Sequence, residues 1–533
     1  MHLTWTRETV GAILTFDLEQ VEETRAIEIH MAEQERDRSI LIPLLLLFMV
    51  YSLGAPVWLV AFLAIWYSGL LYAESAGLLD KMNATRALGI ILMIRTRRGM
   101  RLLESVSQPR RFWRGFGEVS IWLCFFVMFM VVLLLLLSAV AVALSPPEET
   151  IPASDLLLIP GVTSFVPFWW PALALIVAIV IHEYSHGIQA RAHGMRLRSF
   201  GLLQLGPLPI GAFAEPEEKE MERAPRRDRL RLFAAGPSIN IFVTYVVLVL
   251  LCSVASGMAA HNNGVHARGI VVGGGAEEAG LMPFETITHI DENEISDYSD
   301  FSDEMAGLAA GEVARLTVLS RDDSTNKWSE RNITVTMGDR YQYYIEDCEK
   351  DSECIIQDRI ELLELLEIYP GDAFLGVSDL VSSTAGVDDY ARLIDGEYSA
   401  TGTAILTVIR PLLMLNVPIS NEGQTMILQE REMLIAGSGT IGSLLGTDGM
   451  LMLFDFLFWL VWINFLLGFA NLIPMIPFDG GHLVRDGVHS VLRKISGSSN
   501  PIRIENISNR ISSLSSIFIL LILLIPVIIP RLL

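Results

Sequence analysis

The chain of 533 residues is 51% hydrophobic with a mean hydropathy of +0.44, far more apolar than a soluble core requires, which excludes an ordinary soluble globular protein and points to a polytopic membrane protein. Its formal net charge is −22. Segment 257–402 alone carries 30 Asp plus Glu against nine Lys plus Arg, so nearly all the excess lies in one region, whose field repels anionic partners, nucleic acid included.

The first 39 residues hold nine acids and four bases. They read as a cytoplasmic N-terminal arm (1–40) and not as a cleavable signal peptide. Leu41–Ala73 is apolar but interrupted by Gly54-Ala55-Pro56. A straight helix of that length would run about 50 Å against a hydrocarbon core of about 30 Å, so a membrane hairpin over 41–73 is expected. Segment 74–118 carries nine Lys and Arg and reads as a basic cytoplasmic stretch lying on anionic head groups of the bilayer. Further runs of spanning length appear at Ile121–Leu144, Trp169–Ala190, Leu232–Val254, Leu451–Ala470 and Ser513–Leu533, giving six to seven spans. Lys and Arg are dense in 74–118, 188–230 and 472–511 and sparse in 257–402. The first three are therefore assigned to the cytoplasm and 257–402 to the exterior.

The second run ends in Ile181-His182-Glu183-Tyr184-Ser185-His186. Histidines four apart lie one helical turn above each other, so both imidazoles reach one zinc ion. Glu183 then stands beside the metal as a carboxylate able to accept a proton from zinc-bound water, whose pKa falls to about 7. The region 119–256 is read as the first half of a membrane-embedded core. It includes the cytoplasmic loop Leu202–Ala214, whose Gly- and Pro-interrupted character suggests short strands with a free edge near the metal, open to substrate backbone. Ala235-Gly236-Pro237-Ser238-Ile239-Asn240 opens the next span, where Gly-Pro permits close helix approach and Asn240 places an amide in an apolar helix.

Residues 264–338 alternate short β-type runs with turns and read as a small β-rich domain inside the acidic region 257–402, with 340–372 as an acidic helical insertion. Cys348 and Cys354 fall in that insertion, and the sequence is compatible with a short-loop disulfide there. Acids interleave them, but Ser352 stands where a calcium loop needs Gly, which argues against calcium. Cys124 and Cys252 lie in spans and read as small apolar packing residues. Segment 403–449, apolar but holding Arg410 and Pro411, is expected to form interfacial or re-entrant helices. The second half of the core, 450–490, ends its span at Asn471-Leu472-Ile473-Pro474-Met475-Ile476-Pro477-Phe478-Asp479-Gly480-Gly481. Two prolines break the helix and deliver Asp479 to the leaflet of His182 and His186. Residues 491–533 supply a cytoplasmic linker and a last span.

Three stretches in this order, His182–His186, the Ala-Gly-Pro-x-x-Asn run ending at Asn240, and the Asn-x-x-Pro-x-x-Pro-x-Asp-Gly-Gly run from Asn471, resemble the site-2 protease family of intramembrane zinc metalloproteases. The run 264–338 looks like the PDZ domain that bacterial members carry between core spans. Phe478 stands where Leu is usual in the family, with no catalytic consequence. The resemblance implies a polytopic α-helical membrane protein with an inserted extracytoplasmic PDZ-like domain, one catalytic Zn2+ held by His182, His186 and Asp479, Glu183 as general base, and Asn471 and Asn240 as contacts to substrate backbone. It further implies residence in the cell membrane with the active site toward the cytoplasm, transmembrane proteins as substrates, and an upstream protease that trims them as a compatible partner. Two other readings compete. A metal transporter would need paired broken helices in repeated halves, and no repeat is seen. A silent scaffold acting through the β-rich domain would need a damaged Glu183 or a missing ligand, and all four residues are intact.

Overall fold

The computed structural model describes residues 45, 47, 48, 51, 57–87, 90–96, 99–147, 152, 155, 158–206, 208–322, 327–352, 354–496 and 501–532. The N-terminal arm and most of the first half of the expected 41–73 hairpin lie outside them. The chain divides into two compact units, Met1–Val243 with Ile463–Leu533, and Thr244–Trp462.

In the first unit, helix α1 (Val57–Ser75) precedes the hairpin β1 (Ala84–Ala87) and β2 (Ile91–Thr96), and α2 (Arg110–Leu144) follows. α3 (Trp169–Ala192) carries the His-Glu-x-x-His run. Pro171 sits in its first turn, where an N–H would have no helical partner to lose. β3 (Leu197–Leu205) and β4 (Leu208–Pro216) lead into α4 (Arg226–Ser256). The hairpin β1–β2 joins β3–β4 in one antiparallel four-stranded sheet, order β1-β2-β3-β4. The expected short strands over Leu202–Ala214 are thus half of a larger sheet, whose other half comes from the basic stretch 74–118.

In the second unit, β5 (Met258–Ala260), β6 (Val265–Ile270), β7 (Thr286–Ile290), β8 (Asn293–Glu294), helix α5 (Tyr298–Ala306), β9 (Val313–Asp322) and β10 (Lys327–Thr336) are followed by α6 (Arg340–Lys350) and α7 (Ile356–Leu365). A disulfide joins Cys348 to Cys354, Cα atoms 5.3 Å apart. The sheet then continues: β11 (Val377–Ser382) pairs with β6, giving the order β10-β9-β7-β6-β11. This corrects the boundary at 338, because the two helices interrupt the sheet before its last strand. Alternate residues of these strands, Val265, Ile287, Leu316, Val318 and Val335 among them, form one buried cluster.

α8 (Ala400–Leu413), α9 (Leu428–Glu432) and β12 (Leu434–Ala436), which pairs with β5, complete this unit up to α10 (Thr440–Asn471), whose second part belongs to the first unit. Gly446 bends α10 at φ 64°, ψ −179°, a conformation closed to L side chains. α11 (Asp479–Ser496) and α12 (Pro501–Leu532) follow, and α12 packs on α2 through Ile519, Ile522 and Ala139.

Among the described residues, six helices are long and apolar enough to cross a membrane. Five extend the expected spans. The sixth, Ala400–Ser420, falls in the segment expected to hold interfacial or re-entrant helices, and is long and apolar enough to span. Arg410, the charge that argued against a span, is buried: it donates to the Asp389 carboxylate at 3.0 Å and carbonyl at 2.7 Å and lies over the Tyr390 ring. The described part of 41–73 gives one apolar helix, Val60–Ser75, shorter than those six.

Candidate metal and catalytic site

α3 places His182 and His186 on one face, with their Nε2 atoms 3.1 Å apart. Asp479, at the start of α11, brings Oδ2 to 3.2 Å from His182 Nε2 and 3.3 Å from His186 Nε2. Three donors around a tetrahedral zinc, with bonds of about 2.0–2.1 Å, stand roughly 3.3 Å from each other. Their spacing is therefore that of a ligand set converging on one point. Both histidines are buried. His186 Nδ1 lies 2.7 Å from the Leu232 carbonyl of α4, which makes it the protonated nitrogen and turns the lone pair of Nε2 inward. His182 Nδ1 is buried without a partner among the described residues.

Room for a cation comes from α4. A Cβ on Gly236 would collide with the Nε2 atoms of both His186 and His182, so a residue without one is required where the helix passes the imidazoles. Pro237 follows inside the helix, where its ring disrupts the normal ladder. The neighbouring carbonyls are taken by other spans: Leu232 by His186, Ala234 by the Cys124 thiol at 3.3 Å, and Ala235 by the Ser185 hydroxyl at 3.0 Å. Irregular backbone at membrane depth persists when its polar groups are met in this way.

Glu183, one residue along α3, is half-buried. Its Oε2 accepts a hydrogen bond of 2.8 Å from the Ala214 N–H of β4. That strand is held in register by β3, where Phe200 pairs with Ala214, and the Phe200 ring stacks on Tyr184 at 4.9 Å. Asn471 ends α10, and its amide donates to the Leu467 carbonyl one turn back at 3.0 Å. Asn240 is fully buried in α4, facing Gly468 of α10. The structure thus gathers His182, His186 and Asp479 with Glu183 alongside, and leaves the two asparagines in the surrounding helices.

Sequence reasoning missed two features. The Ala214 N–H carries no side-chain signal, because any residue but proline supplies it. The second is Asp486, fully buried and bonded by Arg226 and Arg229. A carboxylate seven residues after Asp479 on the same helix was the only hint.

Comparison with known proteins agrees with this geometry. The pattern of the family described as Peptidase family M50 matches residues 170–520. The chain is 30% identical over 174 residues to an uncharacterised protein of Methanocaldococcus jannaschii, covering 32% of this chain and 46% of that protein, so it spans less than half of that relative. It is 21% identical over 365 residues to zinc metalloprotease Rip1 of Mycolicibacterium smegmatis, 58% of this chain and 83% of the relative. Against Rip1 of Mycobacterium tuberculosis it is 21% identical over 390 residues, 63% and 89% of the two chains.

Proposed function

The chain belongs to peptidase family M50, and from that premise we propose that it is an intramembrane zinc metalloprotease hydrolysing peptide bonds within or near the transmembrane segments of membrane proteins. The observation that carries this reading is the convergence of three donors, His182 Nε2 and His186 Nε2, both buried, and Asp479 Oδ2, half-buried, within 3.3 Å of one another beside Glu183. The site fits zinc: the donor set is borderline-soft nitrogen plus carboxylate, Gly236 leaves space, and three protein ligands keep one position for reactants.

His182, His186 and Asp479 would hold the ion. When bound, zinc supplies a Lewis acid that polarises the scissile carbonyl and acidifies water. Glu183 does the proton work. With Oε2 anchored on the Ala214 N–H, the carboxylate is oriented to take a proton from the attacking water as its oxygen bonds to the carbonyl carbon. It returns that proton to the leaving nitrogen as the C–N bond breaks. Among the described residues β4 has one strand neighbour, β3, and its outer side is the edge on which we place an unwound substrate strand, with Asn471 and Asn240 as contacts to its backbone. A substrate helix hides its carbonyls in its own hydrogen bonds and must unwind before it is cut.

We assign the site to the cytoplasmic side, on the density of Lys and Arg in 74–118, 188–230 and 472–511. The β-rich region is assigned to the exterior as a PDZ-like domain. Supporting this is a groove of about 450 Å³ between α5 and β11, lined by Phe301, Met305, Leu375, Val377 and Leu380, beside a strand that among the described residues pairs with β6 alone. Its role is that of a size filter, admitting substrates already trimmed by another protease. Replacing 264–382 by a short linker tests this: a filter predicts cleavage of untrimmed substrates, and unchanged behaviour would remove the role. The activity itself is tested by incubating the purified protein, with and without chelator, with a panel of single-span proteins. Cleavage inside a span that stops on chelation is expected, and chelator-insensitive cleavage or none overturns the reading.

A further inference from the structure

The last span, α12, turns a row of hydroxyls inward. Its buried side runs through Ile504, Ser508, Ser512, Ile519 and Ile522, with Ser515 and Ser516 half-buried beside them, while Leu514, Ile517, Phe518 and Leu521 are exposed. Hydroxyls on the protein side of a spanning helix serve as partners for polar groups that lipid cannot satisfy. Ser508 is met within its own helix, donating to the Ile504 carbonyl at 2.9 Å. The other three reach the irregular backbone that joins α10 to α11 and the first turn beyond it. Ser515 Oγ donates to the Pro474 carbonyl at 3.0 Å. Ser516 Oγ accepts from the Ile476 N–H at 3.1 Å and donates to the Ser512 carbonyl at 2.9 Å, a double role that one hydroxyl oxygen can fill. Ser512 Oγ donates to the Gly481 carbonyl at 3.4 Å, the longest of the set. Apolar contact adds to this grip, since Ile473 and Met475 pack against the cluster of Ala139, Ile519 and Ile522.

The gripped segment and the start of α11 form one piece. A Cβ on Gly480 would stand 2.5 Å from the Ile473 carbonyl oxygen, and one on Gly481 would stand 2.6 Å from Ile476 N. Backbone therefore lies directly on backbone, with no side chain between to absorb a shift. Asp479 is the residue before these two glycines and the third after Ile476. Among the described residues its carboxylate has no polar partner except the imidazoles of His182 and His186, so no further side chain steers it and the backbone must. We propose that Ser515 and Ser516 of α12 are positioning residues for Asp479: by fixing Pro474 and Ile476 they set where its carboxylate stands against the two imidazoles. This rests on the reading of Asp479 as a zinc ligand. Zinc bonds of about 2.0–2.2 Å leave little room for a displaced donor, and partners outside the ligand set are worth about 10–100-fold in metal affinity.

The test compares Ser516→Val with Ser516→Thr, which share a shape and differ by the hydroxyl. Full-length protein in nanodiscs is stripped of metal and titrated with Zn2+ against a chelating dye, so that the readout is zinc affinity and not turnover. Ser516→Val is expected to bind zinc about tenfold more weakly than wild-type, with Ser516→Thr near wild-type and Ser515→Ala between them. Ser508→Ala, on the same side of the helix but bonded within it, is expected to leave the zinc Kd unchanged. Thermal midpoints of the metal-free proteins read stability separately. A hydroxyl that merely supports the fold would lower the midpoint and leave the affinity of the folded protein where it was. Saturating zinc is expected to restore most of the kcat of Ser516→Val at unchanged KM. If Ser516→Val fails to fold, Ser515→Ala, which removes one hydroxyl and adds no bulk, reads the same quantity. Equal zinc affinity in Ser516→Val and Ser516→Thr with Ser515→Ala at the wild-type value, or an equal loss in Ser508→Ala, overturns the proposal. Undiminished zinc affinity in Asp479→Ala would instead show that the ligand assignment had failed.

Discussion

Asp479 and Asp486 sit seven residues apart on α11, Asp479 half-buried and Asp486 fully buried, and their surroundings differ in kind. Asp486 is fully buried between two guanidinium groups of α4: Arg226 Nη1 donates to Oδ1 at 2.8 Å and Arg229 Nε to Oδ2 at 2.9 Å. Asp479 faces two imidazoles whose inward nitrogens, with His186 Nδ1–H spent on the Leu232 carbonyl, present lone pairs. Both carboxylates tie α11 to its neighbours. The first is complete as folded, since its charge is matched by fixed cations that cannot be deprotonated. The second, on the proposed reading, is a cluster of acceptors that a cation from solution completes. A ligand set and a structural ion pair differ here in whether the partner brings its own charge.

The sharpest way to break this contrast is to disable the chemistry at one end only. Glu183→Gln is expected to keep its metal and lose cleavage by about 10²–10⁴-fold, the usual scale of general acid–base catalysis, whereas Asp479→Ala loses metal and cleavage together. Metal content and turnover on one preparation separate the two. Full metal occupancy in Asp479→Ala would reduce Asp479 to a helix cap. Gly236→Ala is expected to follow, with a loss near 10²-fold from displaced imidazoles, because its Cβ has nowhere to go. If it were fully active, the imidazoles would have more freedom than the packing of α3 on α4 suggests.

At the other end, Asp486→Ala leaves Arg229 without its carboxylate and Arg226 with Glu505 alone, and is expected to lower stability by about 3 kcal/mol, seen as a lower thermal midpoint in detergent. The folded fraction should still bind metal. Metal loss in proportion to the mutation would make Asp486 part of the site and erase the distinction. The smallest effect concerns Glu430 in the other unit, a mixed case bonded by Arg268 at 2.6 Å and His266 at 3.4 Å. Burial raises its pKa, but these two partners outweigh burial and hold the carboxyl below its ordinary 4.5. A depressed acid stabilises the folded state above its unfolded pKa and loses that contribution as pH falls through the folded value. Hydrogen exchange in 265–270 and 428–432 is thus expected to quicken only below about pH 4.5 and to be flat above it. Quickening that sets in well above pH 4.5 would take the response away from Glu430.

What was legible in the sequence follows what kind of signal each feature leaves. His182, Glu183 and His186 were readable because a helix fixes the meaning of a four-residue spacing. Asp479 was reachable through the prolines that break the chain before it. Spans were readable as apolar runs, whereas the partners of Arg410 in Ala400–Ser420 were not, because Asp389 and Tyr390 lie 21 and 20 positions away in the chain. The last strand of the β-rich region was lost because α6 and α7 separate it from its sheet. The Ala214 N–H and the Asp486 cluster are products of tertiary placement. A backbone donor has no spelling, and three charges in two polar segments look like solvated surface until α4 and α11 meet.

The hairpin β1–β2 has a consequence for dissecting the enzyme. The family match begins at residue 170, yet β3, whose partner strand reaches Glu183, is flanked by β2 through the pairs Leu92 with Gln204 to Thr96 with Phe200. A truncation starting at the match would retain every candidate ligand and the candidate base, and would strip one whole side of β3. The exposed row of backbone donors and acceptors is a template for joining other chains, so such a fragment is expected to aggregate or to catalyse poorly with its candidate ligands intact. The limits of shared ancestry and the limits of cooperative folding do not coincide in this chain.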